Sequence, residues 1–300
     1  MEPIVFSFLI ATKDRSRDLQ RTLRSLERFL SRADVECLVC NDGSTDATAA
    51  VLQEFRKVTV IDHPQSRGYI ASRNELLSRA RGQYAISLDD DAEFLSHDPL
   101  EEIDRHFVQN PNCGAIGFRI FWGLEKPAET SSSDSSRQVK SFVGCGHAWR
   151  MDAWRAIRPY PEWFEFYGEE EFASLELFRK GQEVHYLPSV LVHHRVDMQA
   201  RRESRDFSVR YRRSLRSGFY LQFLFYPGFK SWRHFAASIA RQARNRILKN
   251  YRLAKPLAQA LADLARNAPI VARHRTPLSA ERYRQYRALP DPIIYWKPES

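Results

Sequence analysis

From residue 4 to about residue 120, short apolar runs alternate with segments whose apolar residues recur at helical spacing, which leaves few folds open to the chain. Leu19, Leu23 and Leu26 give this helical repeat in the first such segment. The alternation is typical of βαβ units, and it predicts an α/β fold with a mostly parallel central sheet. The expected strands cover residues 4–10, 35–40, 58–61 and 84–88.

Charge is distributed unevenly along the 300 residues. Residues 195–300 hold 23 Lys and Arg against 7 Asp and Glu, a net charge of +16, whereas residues 1–194 have a net charge of −7. The length suits one large domain with an appendage. We therefore expect a domain over residues 1–200 and a basic, mostly helical extension over residues 201–300.

Nothing near the N-terminus resembles an export signal. The first thirty residues contain one short apolar run, residues 4–11, without a basic segment before it. No uncharged apolar stretch reaches the roughly 18 residues of a membrane-spanning helix. Cys37 and Cys40 are spaced like a metal-binding pair, but on a strand they would point to opposite faces, so we expect them to pack in the core. These features predict a cytoplasmic protein, either soluble or peripheral on the inner face of the membrane.

Polar residues follow the expected strands, at the sheet edge where α/β proteins bind ligands. The first strand ends in Ala-Thr-Lys-Asp-Arg (residues 11–15), and the second ends in Asn-Asp-Gly-Ser-Thr-Asp (residues 41–46). The last three residues of the second motif can cap the following helix. Asn41 and Asp42 are then left to hydrogen-bond a nucleobase and a ribose.

Three adjacent carboxylates, Asp89, Asp90 and Asp91, follow the fourth strand. They repel one another, so they are tolerated only when they are solvated or when a cation neutralises them. Directly after an apolar strand that enters the core, a bound cation explains them better than solvation. Carboxylate oxygens favour magnesium or manganese, bridging to a diphosphate.

These segments together resemble the nucleotide-sugar-binding half of family-2 glycosyltransferases, which have the A-type glycosyltransferase fold. The resemblance is carried by ATKDR, VCNDGSTD, SRGYIASRNELLSRARGQY and SLDDDAEF, in the family's order and spacing. It implies a nucleotide-diphospho-sugar transferase with residues 1–200 as its catalytic domain. Bacterial rhamnosyl, galactosyl and glucosyl transferases share these motifs, so an enzyme of the rhamnosyl- or galactosyltransferase type is expected.

The resemblance also implies roles for single residues. Many members have an acid at the position of Asn41, so the base preference stays open. The implied nucleotide-sugar-binding residues are Thr12, Asn41, Asp42, Arg73, Asp89 and Asp90, and the implied metal ligands are Asp89, Asp91 and His193.

A second acidic run, Glu169 to Glu171, lies between Gly168 and Gly181. Such a run is often the solvated start of a helix, where the helix dipole favours negative charge. Here the segment resembles the helix that supplies the family's catalytic base. By that resemblance Glu170 accepts the proton of the acceptor hydroxyl, with Glu169 beside it.

Two further segments complete the expected site. His193 and His194 occupy the position where many family members supply an imidazole to the metal or the diphosphate. Neighbouring side chains on a strand point opposite ways, so only one reaches the site, and we expect it to be His193. The segment with Gly144, Gly146 and Trp149 resembles the glycine-rich stretch that faces donor sugar and acceptor, although an ordinary packed turn is equally compatible.

The implied reaction is a single displacement that inverts the anomeric carbon, with magnesium or manganese as cofactor. Cell-surface polysaccharide or glycolipid synthesis is the expected setting. The alternatives are an inactive scaffold of the same fold and a nucleic-acid-binding protein. The negative N-terminal part argues against nucleic acid as a partner. Residues 123–140 include a serine-rich stretch that we interpret as a mobile loop, either an active-site lid or an idle surface loop.

Seven arginines between residues 201 and 216 precede an aromatic run at residues 219–226. Cations beside an aromatic patch suit an interfacial helix on an anionic bilayer. A helical face laced with salt bridges is the alternative. The bilayer interpretation would fit a glycan or lipid-linked acceptor.

Overall fold

The computed structural model describes residues 3–203 and 206–296. Nine strands in this part of the chain form one sheet. They are β1 Phe6–Thr12, β2 Val35–Asp42, β3 Val58–His63, β4 Tyr84–Leu88, β5 Ala92–Phe94, β6 Cys113–Trp122, β7 Arg137–Val139, β8 Gly146–Arg150 and β9 Glu183–His194. Their order is β3-β2-β1-β4-β8-β6-β9-β5, with β7 also paired to β9.

Helices cover both faces of the sheet and form most of the C-terminal third. The α-helices of the described residues are α1 Ser16–Leu30, α2 Thr48–Glu54, α3 Tyr69–Arg79, α4 Pro99–Gln109, α5 Met151–Arg155, α6 Glu169–Arg179, α7 Met198–Glu203, α8 Phe207–Phe225, α9 Phe229–Gln242, α10 Ala254–Arg266, α11 Ala268–His274 and α12 Ala280–Ala288. The predicted helical extension is therefore present.

The N-terminal half of the sheet is parallel, as predicted. β1 pairs in parallel with β2 and β4, and β2 pairs in parallel with β3. The other half is mixed, because β8 runs antiparallel to both β4 and β6. All four predicted strands are found. β2 extends two residues beyond its predicted end, so Asn41 and Asp42 belong to the strand and pair with β3.

The core lies on both faces of the sheet. Leu19, Leu23 and Leu26 bury the apolar stripe of α1 against one face. Cys37 packs in this cluster, while Cys40 packs in the cluster on the other face. The predicted packing role of the cysteine pair is confirmed, since strand alternation separates the two thiols.

The C-terminal helices share the core of the sheet. Tyr220, Leu221 and Leu224 of α8 are buried in the cluster that also contains Trp149. This burial corrects the prediction that the aromatic run at residues 219–226 faces a bilayer, because most of its side chains pack inside the protein. The side chains of Arg201 and Arg202, and Arg205 altogether, lie outside the described residues. Where the catalytic domain ends along the chain stays a prediction.

Two hydrogen bonds tie the serine-rich loop to the sheet. Arg119 Nη2 donates to Thr130 O at 2.6 Å, and Tyr186 OH donates to Asp134 Oδ2 at 3.2 Å. The role of this loop as a lid stays a prediction. Among the residues that the structure describes, no helix is both long and apolar enough to cross a membrane.

Candidate active site

The ends of β1 and β4 meet through a direct hydrogen bond. Thr12 Oγ1 donates to Asp90 Oδ2 at 2.7 Å. Both strands run in parallel, so the polar residues that follow them lie at the same edge of the sheet. The structure thus brings Thr12 and the triple aspartate together as the sequence predicts.

Asp42 holds the loop that follows β3. Its Oδ1 accepts hydrogen bonds from His63 Nδ1 and Arg67 N, and its Oδ2 accepts from Ser66 Oγ and Gly68 N, all within 2.9 Å. A carboxylate has about four acceptor sites, and these four donors use them. This corrects the predicted contact of Asp42 with a ribose, because no acceptor site is left for it.

The pKa of Asp42 reflects this environment. Burial alone would raise the pKa, but hydrogen bonds from His63, Ser66 and two backbone amides lower it to about 2. The ionised form is therefore stabilised by folding.

Substituting Asp42→Asn should lower the free energy of unfolding by about 2 kcal/mol at neutral pH, as the shift from 3.8 to about 2 implies. Because the folded pKa is depressed, this contribution is present above pH 4 and is lost as the pH falls towards 2. Urea unfolding at neutral and acidic pH measures it, with the exposed Asp152→Asn as control. A difference between wild type and variant that is equal at pH 7 and at pH 2 would contradict this account.

The side-chain amide of Asn41 also forms its hydrogen bonds within the protein. Its Nδ2 donates to Asp62 Oδ1 at 2.9 Å, and its Oδ1 accepts from Ser44 N at 3.3 Å. The predicted contact with a nucleobase stays a prediction, and it would require one of these bonds to be shared or exchanged.

The imidazole of His194 lies close to the carboxylates of both Asp89 and Asp91 at the sheet edge. His194 Nε2 lies 2.9 Å from Asp91 Oδ1 and 3.6 Å from Asp89 Oδ2. Asp91 is 2% exposed, and among the described residues its Oδ1 has no partner with hydrogen-bond geometry. A buried carboxylate requires hydrogen bonds or a nearby cation to offset its lost hydration. The donor set of two carboxylates and an imidazole fits a divalent cation such as manganese or magnesium.

His194 rather than His193 reaches the carboxylates. His193 points the other way, where its Nε2 donates to Gly123 O at 2.8 Å and its Nδ1 lies 3.3 Å from Glu93 Oε1. The sequence correctly predicts that only one imidazole reaches the site. The choice of His193 is wrong, because the register of β9 against β5 sets Glu93 opposite His193 and Ala92 opposite His194.

The two histidines provide a matched pair of variants. His194→Ala should weaken Mn²⁺ binding by tenfold or more, since even outer-sphere partners of a metal contribute about tenfold to 100-fold. His193→Ala should leave Mn²⁺ affinity unchanged, although it removes a buried side chain and lowers the free energy of unfolding. Calorimetric titration of both purified variants with Mn²⁺ makes the comparison. The reverse order of affinities would exclude His194 from the site.

Arg15 is the cation beside the acids in this structure. Its Nε lies 3.1 Å from Asp90 Oδ1, and its Nη2 lies 2.6 Å from Asp91 Oδ2. Burial nevertheless raises the pKa of Asp90 to about 7, against the opposing charge of Arg15. Sequence analysis did not single out Arg15 within the ATKDR motif, although its place directly after β1 was visible.

A bound metal ion and Arg15 would compete for the same negative charge. Arg15→Gln should therefore tighten Mn²⁺ binding in the absence of nucleotide by about fivefold, equivalent to about 1 kcal/mol for a partly exposed ion pair. Arg17→Gln, an exposed arginine two residues along the chain, is the control. Unchanged or weaker Mn²⁺ binding by the Arg15 variant would contradict the competition.

Helix α3 connects the aspartates to the second acidic run. Tyr69 OH donates to Asp89 Oδ1 at 2.8 Å. One turn later, Arg73 Nη1 lies 3.2 Å from Glu169 Oε1 and 3.3 Å from Glu170 Oε1. Arg73 thus braces the two glutamates, and its predicted contact with the nucleoside stays a prediction. Tyr69 was missed, although it lies in the SRGYIASRN motif.

Of the two predicted glutamates, Glu170 is the accessible one. The side chain of Glu170 is 20% exposed, whereas Glu169 is 2% exposed and its Oε2 has no partner among the described residues. Burial and then the charge of Glu170 raise the pKa of Glu169 above its ordinary value, against Arg73. Glu170 is therefore the carboxylate that a substrate hydroxyl can reach.

Gly144 brings the two halves of the site together. A methyl group built on Gly144 would clash with Glu170 Oε1, so a larger residue would displace that carboxylate. The next residue, Cys145, accepts a hydrogen bond from Asp89 N at 3.3 Å through its carbonyl oxygen. Glu170 and Asp89 therefore lie on either side of this short segment.

The other two residues of the predicted glycine-rich stretch do not reach a sugar. Trp149 is fully buried, and its Nε1 donates to Tyr160 OH at 3.2 Å inside the core. A methyl group on Gly146 would meet Ile120 Cδ1 at 2.9 Å, which shows that the glycine is needed for packing. The structure corrects both predictions, because strand β8 lies inside the sheet and packs on both faces.

A second group of possible metal ligands, His106, Cys113 and His185, lies near the starts of β6 and β9. Its polar atoms have partners within the protein. His106 Nε2 and His185 Nδ1 are 2.9 Å apart, His185 Nε2 donates to Glu183 at 2.8 Å, and Cys113 Sγ donates to Ala115 O. The group at the sheet edge offers carboxylate oxygens, which magnesium and manganese prefer, and this favours it as the metal site.

Comparison with known proteins agrees with this architecture. The model of the family "Glycosyl transferase family 2" matches residues 7–160, about half of the chain. A poly-beta-1,6-N-acetyl-D-glucosamine synthase of Staphylococcus epidermidis is 34% identical over 113 residues, which are 37% of this chain and 27% of the synthase. The chain thus matches about a quarter of that protein.

Solved structures show the same fold at low sequence identity. Residues 1–349 of S. aureus TarS in complex with UDP-GlcNAc align over 87% of this chain and 80% of that one, with 14% identity and a TM-score of 0.59. The mannosyltransferase PcManGT of Pyrobaculum calidifontis, in complex with GDP-Man and Mn²⁺, aligns over 90% of this chain and 78% of that one, with 15% identity and a TM-score of 0.58. The fold is that of the A-type glycosyltransferases, and the chain belongs to glycosyltransferase family 2.

Proposed function

We propose that this chain transfers one sugar from a nucleotide diphosphate to an acceptor hydroxyl, with inversion at the anomeric carbon and with magnesium or manganese as cofactor. The observation that carries the proposal is the imidazole of His194, which lies 2.9 Å from the buried Asp91 carboxylate and 3.6 Å from that of Asp89 at the sheet edge. Membership of glycosyltransferase family 2 supports the reaction class.

The metal would be held by Asp89, Asp91 and His194. When bound, such an ion neutralises charge on the leaving nucleoside diphosphate. Thr12 keeps Asp90 in place through its hydrogen bond, and Tyr69 does the same for Asp89. The presence of Mn²⁺ beside GDP-Man in the Pyrobaculum calidifontis mannosyltransferase supports a metal of this kind.

Glu170 would act as the general base. It accepts the proton of the acceptor hydroxyl while the acceptor oxygen attacks the anomeric carbon and the nucleoside diphosphate leaves from the opposite side. Arg73 fixes the direction of the carboxylate, and Gly144 leaves the space in front of it. A single displacement of this kind needs no covalent intermediate.

The proposed donor and acceptor are supported by the proteins to which the chain is similar. TarS was solved with UDP-GlcNAc and PcManGT with GDP-Man, and the S. epidermidis relative makes an N-acetylglucosamine polymer. We therefore propose a UDP- or GDP-linked sugar as donor and a cell-surface glycan or glycolipid as acceptor, at the inner face of the cytoplasmic membrane. A rhamnosyl or galactosyl donor remains part of the expected range.

The test is donor turnover. The protein is incubated with UDP-GlcNAc, GDP-Man and the dTDP and UDP sugars of rhamnose and galactose, with Mn²⁺ or with EDTA, and nucleotide release is measured. We expect release from one donor, dependent on Mn²⁺, and an inverted anomeric configuration in the first product seen by NMR. Retention of configuration would contradict the single displacement, and equal release in EDTA would contradict the metal role.

A further inference from the structure

The C-terminal extension contains a long segment without acidic residues. Residues 207–262 hold no Asp or Glu and twelve Lys and Arg. Eight of these cations fall between residues 229 and 255, which we call the basic segment. They are Lys230, Arg233, Arg241, Arg244, Arg246, Lys249, Arg252 and Lys255.

Arginines of α8 and cations of the basic segment differ in whether they pair with carboxylates. Arg212 pairs with Asp263 at 2.6 Å, and Arg216 pairs with Glu165 at 3.0 Å. Within the described residues, no cation of the basic segment pairs with a carboxylate, and all of them except the half-buried Lys230 are exposed. Salt bridges therefore account for Arg212 and Arg216 of α8, whereas the basic segment has no carboxylate partners among the described residues.

The same segment exposes large apolar side chains. Trp232 is 60% exposed, Leu248 is 81% exposed and Tyr251 is 79% exposed. Three such side chains among unpaired cations are unusual for a surface that only meets water. Aromatic and leucine side chains beside Lys and Arg are typical of surfaces that insert into the headgroup region of a membrane.

We propose that the basic segment, residues 229–255, docks the protein on an anionic lipid bilayer. The cations complement the negative charge of the headgroups, and Trp232, Leu248 and Tyr251 enter the boundary with the acyl chains. This surface lies outside the aromatic run of α8, which is buried in the core. Burial and then the charges of neighbouring Arg and Lys residues lower the pKa of His234. This shift reflects the positive charge that surrounds His234.

A lipid surface fits these residues better than RNA does. RNA binding proteins combine cations with aromatic rings that stack on bases. Leu248, the most exposed large apolar side chain, has no ring to stack and gains by leaving water for hydrocarbon. Docking is measured without donor or acceptor, so its outcome is distinguishable from that of the donor-turnover test.

The experiment uses the full chain and vesicles of phosphatidylcholine, with or without phosphatidylglycerol, in a sedimentation assay. Binding should require phosphatidylglycerol and weaken with added salt. The triple variant Arg241→Gln, Arg244→Gln and Arg246→Gln should bind at least about tenfold more weakly. The matched control removes three exposed cations of the N-terminal domain, Arg24→Gln, Arg56→Gln and Lys57→Gln, and should bind like wild type.

A second pair of variants tests the apolar contacts. Leu248→Ser with Tyr251→Ser should weaken vesicle binding by about tenfold, while Val108→Ser with Leu124→Ser should not change it. All four side chains are exposed, so thermal unfolding should be unchanged. The proposal is overturned if wild type does not bind anionic vesicles, if the control variants lose binding equally, or if single-stranded RNA is bound and phosphatidylglycerol vesicles are not.

Discussion

Replacing Asp91 by alanine should reduce donor turnover on the order of 1,000-fold or more and abolish measurable Mn²⁺ binding. Asp91 is buried, its Oδ1 lies 2.9 Å from His194 Nε2, and the same nitrogen lies 3.6 Å from Asp89 Oδ2. A metal ion bound at this point would stabilise the transition state by several kcal/mol, which corresponds to that loss of rate. The measurements are nucleotide release at saturating donor and calorimetric titration with Mn²⁺.

The control for this variant is Asp152→Ala. Asp152 is 91% exposed and lies on α5, outside the site. Its turnover and its Mn²⁺ affinity should equal those of wild type. An Asp91→Ala protein that is folded, binds Mn²⁺ and keeps its rate would place the metal elsewhere and remove the main support for the proposed function.

The variant Glu170→Gln should show the second large effect. Loss of a general base costs about 100-fold to 10,000-fold in rate. Glutamine keeps the size of the side chain and can still accept a hydrogen bond from Arg73, so nucleotide and Mn²⁺ affinities should stay within about twofold. Initial rates at saturating donor and acceptor, together with calorimetric affinities, separate the catalytic effect from binding.

Neighbouring glutamates provide the comparison for Glu170. Glu171→Gln should keep nearly full activity, because its side chain lies near Lys140 and Asp291 rather than near Arg73. Glu169→Gln should reduce activity less than Glu170→Gln does, since Glu169 is buried beneath it. If Glu169→Gln were the inactive variant and Glu170→Gln the active one, the assignment of the base would be wrong.

The elements that depend on local pattern are those that the sequence predicts well. Two local patterns predict the parallel half of the sheet. They are the helical spacing of Leu19, Leu23 and Leu26 and the four apolar runs. Strand direction alone then places Thr12 and the triple aspartate at one edge. The positions of Glu169 and Glu170 follow from the family resemblance and not from periodicity.

The residues whose roles are predicted wrongly are those whose contacts come from distant segments of the chain. The Asp42 carboxylate accepts hydrogen bonds from Ser66 and Gly68, which lie more than twenty residues later in the chain. Trp149 is enclosed by residues such as Tyr160, which no strand pattern reveals. His193 and His194 differ only in which face of β9 meets the aspartates, and that depends on pairing with β5, about a hundred residues earlier.

Charge composition has a similar limit in the C-terminal third. The count of arginines predicts a basic surface but not which arginines are neutralised. Arg212 and Arg216 lie in the same acid-free stretch as the cations of the basic segment, yet carboxylates of α10 and of the segment before α6 pair with them. The aromatic run is buried for the same reason, since the surface that it packs against comes from other elements.

The most direct test of the account is calorimetric titration of wild-type protein with UDP, GDP and dTDP, with and without Mn²⁺. We expect that one of these nucleotides binds when Mn²⁺ is present, that binding is lost in EDTA, and that Asp91→Ala does not bind it under either condition. Binding of none of the three, or binding that is equally tight without metal, would contradict the claim that this sheet edge is a metal-dependent donor site.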